Sequence, residues 1–312
     1  MDTLDGKLVT LIGGSGFFGA HIAQALLERG ARVRIASRNP ERAFKLKPLA
    51  NLGQLQFARC DATQPDSIRT VMQGSDMAVY MVGAFKGNLR ALHATGAGVA
   101  AEEAARIGAS AFVHVTAIGA DPESEIAYAA TKGRGEELVR EAFPKATILR
   151  PSILFGTDDE FVNMLAGMIS NLPALPVFGP DAELQLLHVD DAADAVAAAL
   201  EDPGKHGGKI FEIGGPERIA MMDLHERIAG AQGRKRLFIP MPDPVSGAFS
   251  MLPLSPMGRD QWKLLKQGSV ASGEHPGIEK LGITPRPLGL ILDKWMVRYR
   301  KHGRFTEGIR ET

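Results

Sequence analysis

Cysteine is almost missing from this 312-residue chain: Cys60 stands alone, so no internal disulfide can form. Together with eight scattered histidines it makes no recognisable metal-ligand spacing, and we predict no metal site. Cys60 ends an apolar-rich stretch, where we expect a buried strand residue. An excess of one charge is also missing, since 36 Lys and Arg balance 36 Asp and Glu. Binding to nucleic acid, which usually needs a basic excess, is therefore not expected.

Long apolar runs are missing as well. No uninterrupted run reaches the roughly 18 residues of a membrane span, and no charged segment followed by an apolar run marks a secretory signal. We therefore expect a cytoplasmic protein, or one attached to a membrane only from outside. The composition is 45% apolar and 23% charged, which is ordinary for a globular protein that builds a core without disulfides.

Strand-like and helix-like segments alternate through the first half of the chain. Short β-branched or alternating runs predict six strands, at 7–12, 31–36, 55–60, 77–82, 111–115 and 146–149. Between them, helical patterns include 67–73, 91–107 and 125–142. This alternation predicts a Rossmann-type α/β fold, a doubly wound parallel sheet covered by helices on both faces.

A glycine loop with the spacing G-x-x-G-x-x-G joins the first predicted strand to the first predicted helix. In a dinucleotide site the chain turns sharply here, approaches the pyrophosphate and packs the helix tightly on the strand, and each demand favours glycine. The helix N-terminus then offers free N–H groups to the phosphates. The alternative is a tight turn without a ligand. The predicted cofactor-binding residues of this loop are Gly13, Ser15, Gly16, Phe17, Phe18 and Gly19.

The second predicted strand ends at Ser37 and Arg38. A site that prefers NAD usually places Asp or Glu here, to accept a hydrogen bond from the ribose 2′-hydroxyl. The guanidinium of Arg38 suits a 2′-phosphate instead, and Arg42 can add a second cation. We therefore predict that NADPH is preferred over NADH. The alternative is that Arg38 is a solvated loop residue.

Two further strand ends are candidate contacts with the cofactor. Asp61 and Ala62 follow the third strand, where the adenine edge would lie. Asp61 can accept from the exocyclic amine, or it can serve only as a turn or capping residue. Val82 and Gly83 end the fourth strand, where a small residue lets the backbone pass close to the cofactor.

The alternation loosens beyond residue 151, and prolines become dense after residue 239. We predict a dinucleotide-binding domain at 1–155 and a smaller, irregular C-terminal lobe at 156–312, with later segments returning to the first domain. The apolar, proline-broken stretch 244–257 is either a buried loop or a surface for a membrane partner. The basic, partly apolar end at 286–312 either docks on the protein or lies on an anionic membrane.

With this loop and these strand ends, the chain resembles the short-chain dehydrogenase/reductase superfamily, in its extended or atypical branch. Five segments are similar to the nucleotide-binding accessory subunits of respiratory complex I: 114–120, 140–144, 148–156, 254–256 and 276–283. The resemblance implies tightly bound NADPH as a structural element and a partner in complex I or a quinone-related membrane assembly. It also implies a peripheral position on the inner membrane. Pro151 is predicted to contact the cofactor.

Tyr128 and Lys132 have the Y-x-x-x-K spacing of that superfamily, and residues four apart share a helix face. Lys132 would lower the pKa of the phenol and bind the nicotinamide ribose, while Tyr128 acts as general acid or base. Alternatively, Tyr128 only packs on the cofactor and Lys132 only binds ribose. Thr116 is the candidate third member of the catalytic group. Alternatively it only lines the cofactor, because the side chains of Ala117 and Ile118 after it cannot donate a hydrogen bond to a substrate.

These patterns favour an NADPH-binding accessory or assembly protein related to the complex I subunit. The alternative is a free-standing NADPH-dependent oxidoreductase or epimerase. The proline-broken stretch and the basic end favour the first hypothesis, and the intact Tyr128 and Lys132 pair favours the second.

Overall fold

A computed structural model describes residues 4–250 and 258–300 of the chain. These residues form two compact units. The first takes its described residues from Met1–Ser152, Val189–Gly214 and Ala271–Thr284, and the second from Ile153–His188, Gly215–Val270 and Pro285–Thr312. Within the described ranges, no helix combines the length and the apolar character needed to cross a membrane.

A seven-stranded parallel sheet forms the centre of the first unit. Its strands are β1 Leu8–Ile12, β2 Arg32–Ser37, β3 Leu55–Arg59, β4 Met77–Tyr80, β5 Ala111–Val115, β6 Thr147–Pro151 and a last strand, Ile210–Ile213. In space, β3, β2 and β1 are followed by β4, β5, β6 and the last strand. The order therefore reverses between β1 and β4, the place where open α/β sheets bind ligands. The predicted Rossmann-type fold class is confirmed.

Helices pack beside the strands because their inward faces are apolar. They are α1 Phe17–Glu28, α2 Pro65–Met72, α3 Gly96–Arg106, α4 Ala127–Ala142 and the alanine-rich helix Val189–Glu201. Arg29 at the end of α1 forms an ion pair of 2.9 Å with Asp194 on the helix Val189–Glu201. His21 of α1 contacts Asp190 of the same helix at 2.5 Å. The 3₁₀ segment Pro40–Leu49 was not predicted. The helix predicted at 91–107 is present, but it begins with a π-helical turn, Arg90–Thr95, before α3.

The second unit has its own apolar core. Its helices are Phe161–Asn171, Met221–Ala231, Asp243–Ser250, Arg259–Gln267 and Leu288–Met296. Three strand pairs complete it: Leu154–Phe155 with Leu187–His188, Ala174–Phe178 with Leu237–Met241, and Glu183–Leu184 with Ile219–Ala220. Asn163 accepts hydrogen bonds from the Trp295 indole at 3.0 Å and the Tyr299 hydroxyl at 2.7 Å, which ties residues 288–299 to the first of these helices.

A helix occupies Asp243–Ser250, where a proline-broken loop was one of the two predictions for the stretch 244–257. Pro244 is compatible with this helix since it lies in the first turn, where a missing N–H costs nothing. Residues 251–257 lie outside the described residues, and they include 254–256, one of the five segments that carried the resemblance. Residues 301–312 of the basic end also lie outside the described residues.

Candidate dinucleotide site

The glycine loop lies where the strand order reverses, and two of its glycines are required by geometry. Gly13 has a φ of +94°, in the left-handed region that side chains disfavour, and a Cβ there would lie 3.2 Å from the Val82 nitrogen. A Cβ on Gly19 would lie 2.5 Å from the Gly14 backbone, so α1 can approach the loop only without one. No side chain caps the N-terminus of α1, whose first N–H groups suit an anionic ligand.

A pocket of about 410 Å³ opens beside this loop. A Cβ added to Gly83 would meet nothing within 4 Å, so this strand end faces open space. Ala84, which follows Val82 and Gly83 at the predicted strand end, also lines the pocket. Met81 and Leu92 line it as well and were not singled out from the sequence, although they lie in the predicted fourth strand and the predicted helix at 91–107. The predicted residues that line it are Gly13, Ser15, Gly16, Phe17, Phe18, Gly19, Ser37, Arg38, Ala62, Val82 and Gly83.

A second pocket of about 630 Å³ shares Arg38 and Arg42 with the first. Arg59 adds a third guanidinium, because the pairing of β2 with β3 places it opposite Ser37. The Ser37 hydroxyl is buried and has no hydrogen-bond partner among the described residues. An unsatisfied hydroxyl beside three cations fits the phosphate-bearing ribose of a dinucleotide.

Asp61 also lines the arginine-rich pocket. Its Oδ1 accepts hydrogen bonds from the Thr63 backbone N–H at 2.9 Å and hydroxyl at 2.8 Å, and these bonds hold the pKa of the carboxyl below its usual range. One carboxylate oxygen therefore stabilises the turn at Thr63, while the residue also lines the second pocket.

The thiol of Cys60 is buried, as predicted, and burial raises its pKa. Cys60 lines the first pocket together with Ala62, and it is the single cysteine of the sequence. Across residues 4–250 and 258–300, no three side chains of His, Cys, Asp or Glu come together as a metal site.

Lys132 lies behind the first pocket and is fully buried. Its ammonium donates to the carbonyls of Val82, at 2.9 Å, and Val115, at 3.2 Å, so it ties the ends of β4 and β5 together. Burial lowers the pKa of Lys132 to about 8, against the opposing effect of Glu136. The residue thus supports the pocket wall through Val82, and neither Lys132 nor Tyr128 lines the two pockets.

Tyr128 lies on the same face of α4, with its ring centroid 6.0 Å from the Lys132 ammonium. The ring stacks on Phe85 at 4.6 Å and meets the edge of His93 at 5.2 Å. Burial raises the pKa of Tyr128 to about 12, which disfavours the phenolate. The structure gives the hydroxyl no hydrogen-bond partner among the described residues.

His93 organises this cluster, and sequence analysis did not single it out. Burial and the charge of Lys132 lower its pKa to about 3, so the ring is neutral. Its Nε2 accepts from the Ala84 N–H at 3.1 Å, and its Nδ1 therefore donates to the Thr131 hydroxyl at 2.9 Å. Ala84 lines the first pocket, so His93 fixes a second part of its wall.

Thr116 is also buried and lines neither pocket. Its hydroxyl donates to Glu136 at 2.6 Å, and Glu136 accepts two hydrogen bonds from Arg150. Pro151, buried at the end of β6, lines neither pocket, and its carbonyl accepts from the Ile118 N–H at 3.1 Å. Thr116, Tyr128 and Lys132 thus line neither pocket, and Lys132 reaches the wall of the first pocket only through its bond to Val82.

Comparison with known proteins agrees with this site. Residues 13–203 match the model of a family described as NAD(P)H-binding. The mouse protein "NADH dehydrogenase [ubiquinone] 1 alpha subcomplex subunit 9, mitochondrial" is 30% identical, over 99% of this chain and 85% of its own length. A "Ceramide reductase" of Caulobacter vibrioides is 28% identical, over 76% of this chain and 74% of its own.

Solved structures show the same fold at lower identity. The UDP-glucose 4-epimerase of Thermus thermophilus in complex with NAD has a TM-score of 0.70 and 18% identity, covering 94% of this chain and 99% of that one. A triphenylmethane reductase of Citrobacter sp. has a TM-score of 0.74 and 17% identity, covering 93% and 99%. The predicted resemblance is confirmed: the chain belongs to the NAD(P)H-binding family and, within it, to the family of the alpha subcomplex subunit 9 of NADH dehydrogenase [ubiquinone], with a nicotinamide dinucleotide as its cofactor.

Proposed function

We propose that this chain is an accessory or assembly protein that holds NADPH as a structural element rather than turning it over. The observation that carries the proposal is the state of the three candidate catalytic side chains. Lys132 is bonded to two carbonyls, Thr116 is bonded to Glu136, and Tyr128 is stacked under Phe85 with a raised pKa. Lys132 and Thr116 would have to leave these partners to act in catalysis, and the raised pKa of Tyr128 disfavours the phenolate that a general base needs.

NADPH can donate a hydride in a reaction. It can also stabilise a protein against unfolding without reacting, because it binds only the folded state. The glycine loop would hold its pyrophosphate, with Gly13 and Gly19 allowing the close approach. Arg38, Arg42 and Arg59 would hold a 2′-phosphate, together with the unsatisfied Ser37 hydroxyl. These cations support NADPH rather than NADH as the preferred cofactor.

Replacing Arg38 by alanine is expected to weaken NADPH binding about 10- to 100-fold, because a charge-assisted hydrogen bond to phosphate contributes about 1.5–3 kcal/mol. NADH lacks the 2′-phosphate, so its affinity should change less than about threefold. Titration calorimetry with each nucleotide measures both constants, on protein that has been refolded after denaturation has removed its cofactor.

Arg32→Ala is the matched control for this variant, since Arg32 is exposed at the opposite end of the same strand. It should leave both affinities unchanged. An Arg38→Ala protein that lost NADH and NADPH affinity equally would contradict the 2′-phosphate assignment.

We further propose complex I or a quinone-related membrane assembly as the partner, with a peripheral position on the inner membrane. The support is the similarity to complex I subunits from several eukaryotes, which extends over nearly the whole chain. The match to the mouse protein covers 99% of this chain and therefore includes the second unit, whose sequence lies largely outside the NAD(P)H-binding segment 13–203. Similarity that extends beyond the nucleotide-binding segment supports a role beyond nucleotide binding.

The proposed structural role predicts that NADPH is released only when the protein is denatured and that the bound cofactor is inert. The purified protein would be mixed with quinones, ketones and nucleotide sugars, and NADPH oxidation would be followed by absorbance. The expected result is no oxidation above that of free NADPH. Denaturation should then release intact NADPH, identified by chromatography.

An NADPH-dependent reductase or epimerase is the second candidate, and the unpartnered Tyr128 hydroxyl near Lys132 favours it. Tyr128→Phe keeps the ring that stacks on Phe85 and removes only the hydroxyl. Oxidation of NADPH by one compound of the panel, abolished in Tyr128→Phe, would replace the accessory proposal with an enzyme and name its substrate class.

A further inference from the structure

An exposed apolar and basic surface lies beside β3, the strand at one edge of the sheet. We name it the edge patch and define it as Phe44, Lys45, Lys47, Leu49 and Leu52. All five side chains are exposed, and the exposed fractions of Phe44 and Leu49 are 45% and 52%, while Leu52 is fully exposed. Three large apolar side chains thus face solvent within nine residues.

The local structure explains why these side chains point outward. The 3₁₀ segment Pro40–Leu49 buries only Ala43 and Leu46, so its other apolar residues have no place in the core. Leu52 follows in a turn that ends at Gly53, which has a φ of +83°. Single exposed leucines are ordinary, but a cluster of them marks an interaction surface.

The edge patch is positively charged. It contributes two cations of its own, Lys45 and Lys47, and residues 43–52 contain no Asp or Glu in a chain whose formal charge is zero. Arg42 and Arg59 are neighbours along the chain, but they line the nucleotide pocket and their charge is assigned to the 2′-phosphate. The Lys47 ammonium lies 3.8 Å from the centroid of the Phe44 ring and 5.7 Å from that of Phe57. Cations and apolar side chains are therefore interleaved on one surface.

We propose that the edge patch binds the surface of a membrane that contains anionic phospholipids. Leucine and phenylalanine side chains enter the boundary between head groups and acyl chains, while lysines beside them contact lipid phosphates. Leu52 is fully exposed in a turn rather than lining a groove. A leucine in such a position can enter the fluid surface of a membrane, whereas an acidic protein would need a matching pocket to bury it. The proposal deepens the peripheral membrane position proposed above and rests on it, whereas the accessory role is tested separately by the NADPH oxidation panel.

Flotation of the full-length, NADPH-loaded protein with vesicles tests the edge patch. The probes are vesicles of phosphatidylcholine alone and of phosphatidylcholine with about 30% phosphatidylglycerol. Binding is expected only to the anionic vesicles, and high salt should weaken it. Leu49→Ser with Leu52→Ser, and separately Lys45→Glu with Lys47→Glu, should each weaken binding by about tenfold or more, since each nearby lysine contributes about fivefold.

The matched control is Leu237→Ser with Ile239→Ser, which removes two exposed apolar side chains from the second unit. It should bind anionic vesicles like the unsubstituted protein. Retained NADPH in every variant shows that the first unit is folded and separates this test from that of the nucleotide. Wild-type protein that ignores anionic vesicles, or edge-patch variants that bind them normally, would overturn the proposal; the second result would leave an acidic protein as the partner of this surface.

Discussion

Replacing Arg150 by methionine is expected to lower the free energy of unfolding by about 3–5 kcal/mol, because two buried carboxylates lose their shared cation. Arg150 donates to Glu136 from Nε at 2.9 Å and from Nη2 at 2.6 Å, and its Nη1 lies 3.5 Å from Glu212. The three side chains are only 15%, 6% and 4% exposed. Urea unfolding of the cofactor-free protein near neutral pH measures the loss.

The loss arises from burial rather than from the ion pair itself, and the chain offers a control pair with the same shortest nitrogen–oxygen distance. Arg134 and Glu137 are also 2.6 Å apart, but their side chains are 55% and 47% exposed. Arg134→Met should therefore cost at most about 1 kcal/mol, as exposed pairs do. Similar small losses in both variants would show that water reaches the Arg150 cluster.

A second substitution separates the lost cation from lost packing. Adding Glu136→Gln to Arg150→Met removes one of the two orphaned charges and is expected to recover part of the stability. Glu136 also accepts from the Thr116 hydroxyl, a bond that a glutamine oxygen can keep. No recovery in the double variant would point to packing around the methionine as the source of the loss.

The sequence was informative where the signal is local. Gly13 and Gly19 were found because a tight turn and a close helix approach each exclude a Cβ, and both demands act within seven residues. Ser37 and Arg38 were found because the end of a strand follows from its own alternation. Tyr128 and Lys132 were found by their spacing on one helix.

The remaining site residues depend on pairing that a sequence does not display. Arg59 enters the arginine-rich pocket only because β2 and β3 pair in the register that sets it opposite Ser37. Glu136, Arg150 and Glu212 meet from a helix and two strands far apart along the chain. His93 escaped notice because it is a single histidine inside the predicted helix at 91–107, and its sequence context does not reveal its bonds to Ala84 and Thr131.

Acidification from pH 7 to pH 5 is expected to cost about 4 kcal/mol of stability through two buried histidines. Burial, and after it the charge of Lys132, lowers the pKa of both His93 and His114 to about 3, whereas both titrate near 6.5 when unfolded. Between these values the unfolded chain binds more protons, so stability is complete above pH 6.5 and falls as the pH drops toward 3. Each histidine contributes about 1.4 kcal/mol per pH unit in that range.

The measurement is the free energy of unfolding in urea at several pH values from 7.5 to 5, compared between the protein and His114→Gln. Whatever the variant costs at pH 7.5, it should remove about half of the histidine-dependent slope, because one of the two titrating rings is gone. His93→Gln should remove the other half and also release Ala84, whose N–H is bound by Nε2 in the wall of the pocket. If His114→Gln kept the full slope, protonation of other groups would account for the acid sensitivity. A reduced slope with weaker NADPH binding in His93→Gln alone would tie this buried ring to the cofactor site.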